Sequence, residues 1–257
     1  MTGVLVCVKR VPDAASEIVL TADGQGVDGR FSGFTTSPHE QCAVELAVRV
    51  ASGSDGEASV LTLGDADAVE QLRNALAVGC ASATHVVADA QRYGPADVAR
   101  EIAAVVRDHA AAGRAHDLVL LGNDAADTGD FQVGIRLAYE LGWPVVTGVT
   151  EVSVEDGVMT ASGDGSDGYE TYRLPLPAVV TVLEGVVEPR YPTVVGRMKA
   201  KKLPIEEREP TAEPAAPVRL RWSLPPPTPS DVQILGKGPE AAPAVVDLLE
   251  RLGVLAR

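Results

Sequence analysis

Strand-length apolar runs alternate with segments of helical repeat, and that alternation limits this chain more than any other feature. The runs lie at residues 3–8, 58–63, 84–88 and 117–121. Between the first two, Ala43, Leu46, Ala47 and Val50 recur at i, i+3, i+4 and i+7, the mark of one apolar helix face. Leu72 and Leu76 carry a second helical segment, and Val98, Ile102 and Val105 a third. Strands separated by helices of this length pair in parallel through right-handed crossovers. The helix ends are also written in the chain. Ser37-Pro38-His39-Glu40 supplies an N-cap, a proline at the first turn and a returning carboxylate, which together form a capping box. Gly79 closes the second helix, and Gly94-Pro95 opens the third.

The pattern changes beyond Trp143-Pro144. Residues 150–154 and 158–161 flank Glu155-Asp156-Gly157, a hairpin signal, and 169–174 can add a third antiparallel strand. Residues 177–182 return to a buried strand. A proline-rich stretch through Pro225-Pro226-Pro227 cannot enter a core, and an amphipathic helix over 239–252 ends the chain. The expected architecture is α/β. It has a doubly wound, mostly parallel, Rossmann-like sheet over residues 1–203, with an antiparallel hairpin extension. Residues 204–257 form a C-terminal arm that wraps a surface or a partner.

Composition excludes several classes. A net charge of −14 disfavours nucleic acid, whose phosphates need Lys and Arg. No apolar run reaches the roughly 18–20 residues of a membrane helix. The N-terminal residues read as a first strand and not as a signal peptide, so a cytoplasmic protein without membrane insertion is expected. Cys7, Cys42 and Cys80 are too scattered for a disulfide frame or metal site, and read as small buried hydrophobes. His39, His85, His109 and His116 fall in no catalytic pattern. Glu206-Glu207 reads as part of a solvated tail. The chain reads as a binder or carrier and not as an enzyme.

Two stretches can carry function. Residues 117–134 run from an apolar strand through a loop rich in Gly, Asp and Asn into a helical segment from Phe131 to Leu141. This is where α/β proteins hold phosphates and dinucleotides. Gly122, Gly129 and Gly134 allow close backbone approach, and Asn123, Asp124, Asp127 and Gln132 supply polar contacts. Neither a GxGxxG fingerprint nor a P-loop is present. If the first and fourth strands are neighbours, Lys9 lies in the same crevice. The second stretch, 188–202, has five basic residues and no acidic one between Arg190 and Lys202, with Val194 and Val195 at its centre. Steering charge around a small apolar anchor suits transient docking.

A set of ordered segments resembles the electron transfer flavoprotein beta-subunit family, the FixA-like proteins. They are Val8-Lys9-Arg10-Val11-Pro12-Asp13, Ala43-Val44-Glu45-Leu46-Ala47-Val48, Leu72 through Gly79, Asp117 through Gly122, and Leu176 through Thr181. Glu188-Pro189-Arg190-Tyr191 and Met198-Lys199-Ala200-Lys201-Lys202 complete the set. The resemblance implies a heterodimer with an alpha subunit that houses most of an FAD, and an AMP in the beta subunit. Electrons would pass from acyl-CoA or other dehydrogenases to a quinone oxidoreductase. It implies nucleotide contacts at Cys7, Val8, Lys9, Ser37, Leu63, Gly122, Asn123, Asp127, Gln132, Val133 and Gly134. It implies dehydrogenase docking at Tyr191, Val194, Val195, Arg197, Met198 and Lys199. Two departures from the family pattern are Ser37, where Asn is usual, and Val133, where Thr would add a hydroxyl toward phosphate. A second FAD in place of AMP (the bifurcating form) and a stand-alone adenine-nucleotide-binding protein are the alternatives.

Overall fold

The computed structural model describes residues 1–215, 220–226 and 232–255. The chain begins with β1 (Val4–Cys7), whose four residues are all buried. A short antiparallel ladder, β2 (Val11–Pro12) with β3 (Phe34–Thr35), brackets a loop excursion after the first strand. The next elements are α1 (Pro38–Gly53), β4 (Ala58–Gly64), α2 (Val69–Val78), β5 (Ser82–Val87), α3 (Pro95–Ala111), β6 (Leu118–Gly122) and α4 (Val133–Leu141). After them come β7 (Val145–Val149), β8 (Glu151–Glu155), β9 (Val158–Gly165), β10 (Gly168–Pro175), β11 (Ala178–Val182), α5 (Val194–Ala200), β12 (Ile205–Arg208) and α6 (Ala242–Arg251).

The central sheet has seven parallel strands in the order β12-β5-β4-β1-β6-β11-β7. Alternation along β1 divides the core between its two faces. Val4 and Val6 pack with Ala43, Ala47, Leu72 and Leu76 of α1 and α2. Leu5 and Cys7 pack with Ile102, Val105 and Leu137 of α3 and α4. Burial on both faces explains why the parallel strands read as unbroken apolar runs while the helices read as stripes. The expected doubly wound sheet is therefore present. So is the antiparallel extension β10-β9-β8, whose first hairpin turns through Asp156 and Gly157 at φ 49° and 75°. Such paired positive angles match a two-residue turn to strand twist.

Two edge strands escape the sequence reading. β7 follows Pro144 directly and is only partly buried. β12 takes in Glu206 and Glu207, so these residues are strand and not tail: they pair in register with Thr84 and His85 of β5, with Glu206 partly buried and Glu207 exposed to solvent as expected. Glu206 accepts from Arg114 Nη1 at 3.0 Å and lies 3.3 Å from His109 Nε2. His109 in turn meets His116 at 3.0 Å, both rings buried. Arg208 bonds Asp108. These contacts fix the start of the arm to α3.

By contacts the chain divides into residues 1–222 and 223–257. Within the second unit, α6 follows a short 3₁₀ turn at Gly238–Ala241, as the terminal helix expectation requires. Pro227 of the proline-rich stretch lies outside the described residues. Among the described residues, no helix is long and apolar enough to cross a membrane.

Candidate nucleotide crevice and docking face

β1 leads to β4 on one side, whereas β6 lies on its other side, so the order reverses between β1 and β6. Open α/β sheets bind ligands at such a switch point, beyond the carboxyl ends of the strands. Cys7, Val8 and Lys9 end one strand, Gly122 and Asn123 the other, and Leu63 ends the adjacent β4. The crevice is narrow at its base. A Cβ on Gly122 would lie 2.8 Å from Glu40 Cγ and 3.3 Å from the Glu40 nitrogen, so only glycine lets β6 pass the start of α1. A Cβ on Gly134 would come within 2.4 Å of Thr181 Cγ2, which holds α4 tightly against β11.

The capping box is present and does more than cap. Ser37 Oγ accepts from the Glu40 nitrogen at 3.2 Å, and Glu40 Oε2 accepts from the Ser37 nitrogen at 3.1 Å. Glu40 Oε1 then accepts the backbone N–H of Lys9 at 2.8 Å, so one carboxylate joins the α1 N-terminus to the end of β1. Burial pushes the Glu40 carboxyl up to about 7, against the lowering effect of its hydrogen bonds and of Lys9. Burial, with Glu40 nearby, also holds the Cys7 thiol far above its ordinary range, so it is no nucleophile.

Lys9 does reach the loop: its Nζ lies 2.7 Å from Asp127 Oδ1. Asn123 Oδ1 accepts from Thr181 Oγ1 at 2.7 Å, and Thr181 Oγ1 accepts from the Gly148 nitrogen at 3.0 Å. Gln132 sits just before α4 but turns its Oε1 to Arg136, at 3.0 and 2.8 Å. Val133 and Gly134 form the first turn of α4, whose leading N–H groups have no partner within the helix.

Polar atoms are also left over here. His39 Nε2 lies 2.8 Å from Asp124 Oδ1, off the line of a hydrogen bond. His39 Nδ1, Asp124 Oδ1 and Thr128 Oγ1 are all buried without a hydrogen-bond partner among the described residues. Each such atom costs about 1–3 kcal/mol unless something satisfies it. His39 and Thr128 were not legible as site residues, because nothing in their sequence context marks them; they become visible only when α1 meets the 122–134 loop.

The docking stretch packs on the first half of α1, against Gln41, Val44 and Glu45. Its anchor is Glu45, 3% exposed, which accepts from Arg190 Nε at 2.7 Å, Arg190 Nη2 at 2.9 Å and Arg49 Nε at 2.6 Å. The two guanidinium groups, Arg190 foremost, draw its carboxyl down to about 2. Thr193 caps α5 by accepting from the Gly196 nitrogen at 3.0 Å. Arg73 of α2 holds the far end, donating to Ala200 O and, at 2.6 Å, to Leu203 O. On this frame Tyr191, Val194, Val195 and Met198 are 89%, 76%, 61% and 60% exposed, an apolar row that the structure itself leaves uncovered. Arg197 and Lys199 are exposed beside it.

Comparison with known proteins is decisive at this point. The pattern described as Electron transfer flavoprotein domain matches residues 30–213. The chain belongs to the electron transfer flavoprotein beta-subunit family. It is 38% identical to the human electron transfer flavoprotein subunit beta over 80% of this chain and 81% of that protein. It is 32% identical to the subunit beta of Bacillus subtilis over 96% and 97%, and 34% identical to that of Syntrophomonas wolfei over 90% and 89%. The matched family region takes in α1, the switch-point loop, the antiparallel extension, the docking segment and β12. It therefore extends past residue 203, consistent with β12 completing the sheet.

Proposed function

We propose that this chain is the beta subunit of a heterodimeric electron transfer flavoprotein and binds AMP in the β1–β6 crevice. An alpha subunit holds most of an FAD, which supplies the redox chemistry, and this chain covers it. Electrons arrive from acyl-CoA or other dehydrogenases and leave for a quinone oxidoreductase. The chain is a carrier subunit and has no catalytic residue of its own. The observation that carries the AMP reading is the set of buried polar atoms at the switch point: His39 Nδ1 and Thr128 Oγ1 have no hydrogen-bond partner among the described residues, and Asp124 Oδ1 meets His39 Nε2 at 2.8 Å without a hydrogen bond. The α4 N-terminus suits a phosphate, and Asn123, Asp127 and the strand end at Cys7 to Lys9 suit the sugar and base. The docking reading rests on the exposed row from Tyr191 to Met198 and the basic residues around it.

Co-expression with a cognate alpha subunit tests this. The purified pair should be yellow and release one FAD and one AMP per heterodimer on denaturation. A colourless pair refutes the flavoprotein reading. Two FAD and no AMP would assign the crevice to a second flavin and make the protein a bifurcating type, while a stable monomer binding ATP alone would favour a stand-alone binder. Reversing the charges of Lys199, Lys201 and Lys202 should weaken coupling to the electron donor at least tenfold and leave flavin content unchanged. Equal loss of both would mean that these lysines serve the alpha-subunit contact or the fold.

A further inference from the structure

Beneath the docking segment lies a groove of about 290 Å³, walled by α1 and α2 and roofed by residues 188–192 and Arg197. Its apolar walls include Val44, Ala75 and Val78. Gln71 of α2 also lines it and is 2% exposed, and its Oε1 has no hydrogen-bond partner among the described residues. Leucine has nearly the same size and would bury there without that penalty, so the amide acts against stability in the isolated chain. Buried groups that oppose stability concentrate where a partner completes them.

We propose that this groove receives an extended, acidic segment of the protein that docks on the Tyr191–Met198 face. A backbone N–H of that segment donates to Gln71 Oε1, and an acidic side chain pairs with Arg197. The missing element is a donor, which a peptide backbone supplies at every residue but proline. The volume lies at the small end of ligand pockets and accommodates one or two residues of an extended segment. Charge favours an acidic partner: of the groove's charged lining, Glu188 is acidic and Arg190 is held by Glu45, while Arg197 is exposed with Lys199, Lys201 and Lys202 following it in the chain. The groove shares Tyr191 and Arg197 with the exposed docking row, so one partner can engage both. The inference rests on the docking reading given above.

The FAD-loaded heterodimer carrying Gln71→Leu tests it. Its unfolding temperature should equal or exceed that of the wild type, with flavin content and dithionite reduction unchanged. A lower unfolding temperature would mean that the amide supports the fold, and would overturn the proposal. With medium-chain acyl-CoA dehydrogenase reduced by octanoyl-CoA as the donor, the KM for the dehydrogenase should rise about tenfold at constant kcat. A KM within twofold of wild type overturns the proposal. Saturation-transfer NMR with acetyl-Gly-Asp-Gly-amide provides an arm independent of the donor. Transfer to the peptide should be strong with wild type, weaker with Arg197→Gln and absent with Gln71→Leu; no transfer with wild type overturns the groove. A wild type that binds the peptide yet takes no electrons from this dehydrogenase refutes the choice of donor and leaves the groove standing.

Discussion

Glu40 and Glu45 lie five residues apart on one helix, both buried, yet they hold their protons in opposite ways. Glu45 faces the docking stretch and shares its burial with two guanidinium groups, which draw it down to about 2. Glu40 faces the crevice and is met by neutral N–H and O–H donors. The nearby ammonium of Lys9 is committed to Asp127 instead. Desolvation then prevails, and the Glu40 carboxyl rises to about 7. The difference distinguishes two sites on α1, one in its first turn and one at its middle. The site at Glu45 is a finished ion pair that holds an exposed segment in place. The site at Glu40 is an unfinished polar one, with titratable and unpartnered groups gathered where a charged ligand would complete them.

Arg190→Met should break the comparison most severely. Glu45 would keep the half-exposed Arg49 and the backbone N–H of residue 190, and removing one partner of a buried carboxylate costs about 3 kcal/mol. Urea unfolding at pH 7 measures this, and a loss no larger than that of Glu40→Gln would show the two sites to be equivalent. The next effect is on pH dependence. Because the Glu40 pKa is raised on folding, its contribution is complete below about 4.5 and is lost as pH rises through about 7. His116 acts in the opposite direction. Burial, with His109 beside it, holds its imidazole down to about 4, so its contribution is present above about 6.5 and is lost as pH falls through 4. The two slopes offset each other between pH 4.5 and 6.5. Glu40→Gln should expose the His116 slope, giving a rise of roughly 2 kcal/mol across that window where wild type is flatter. Superimposable curves for the two proteins would mean that Glu40 is ionised throughout. The smallest effect concerns the ligand. Val133→Thr adds a hydroxyl to the first turn of α4 and should tighten AMP about fivefold by calorimetry, the worth of roughly 1 kcal/mol for one hydrogen bond. Unchanged affinity would place the phosphate elsewhere.

Much of this organisation is legible in the chain because it rests on local chemistry. The Ser37–Glu40 capping box, the Asp156-Gly157 turn and the Gly79 helix end each depend on neighbours within a few residues. The neighbouring positions of β1 and β6, which bring Lys9 to Asp127, follow from the rules of doubly wound sheets. β7 and β12 were not legible. β7 is short, starts directly after Pro144 and contains Gly148, and β12 carries three charged residues that read as tail. Edge strands face solvent on one side, so they lack the apolar signature of their central neighbours.

By itself, then, the sequence determined the parallel α/β plan, the main helix starts, the switch-point loop and the basic run at 190–202, because periodicity, turn chemistry and charge runs act over a few residues. Only the tertiary structure decided that Glu45 belongs to Arg190, 145 residues away, and that the Lys9 ammonium goes to Asp127 while its backbone N–H goes to Glu40. It also decided that His39, Thr128 and Gln71 are buried with atoms left unpartnered. Those are matters of desolvation and long-range pairing, and the energy of a buried charge or amide depends on every group packed around it, whatever its place in the chain.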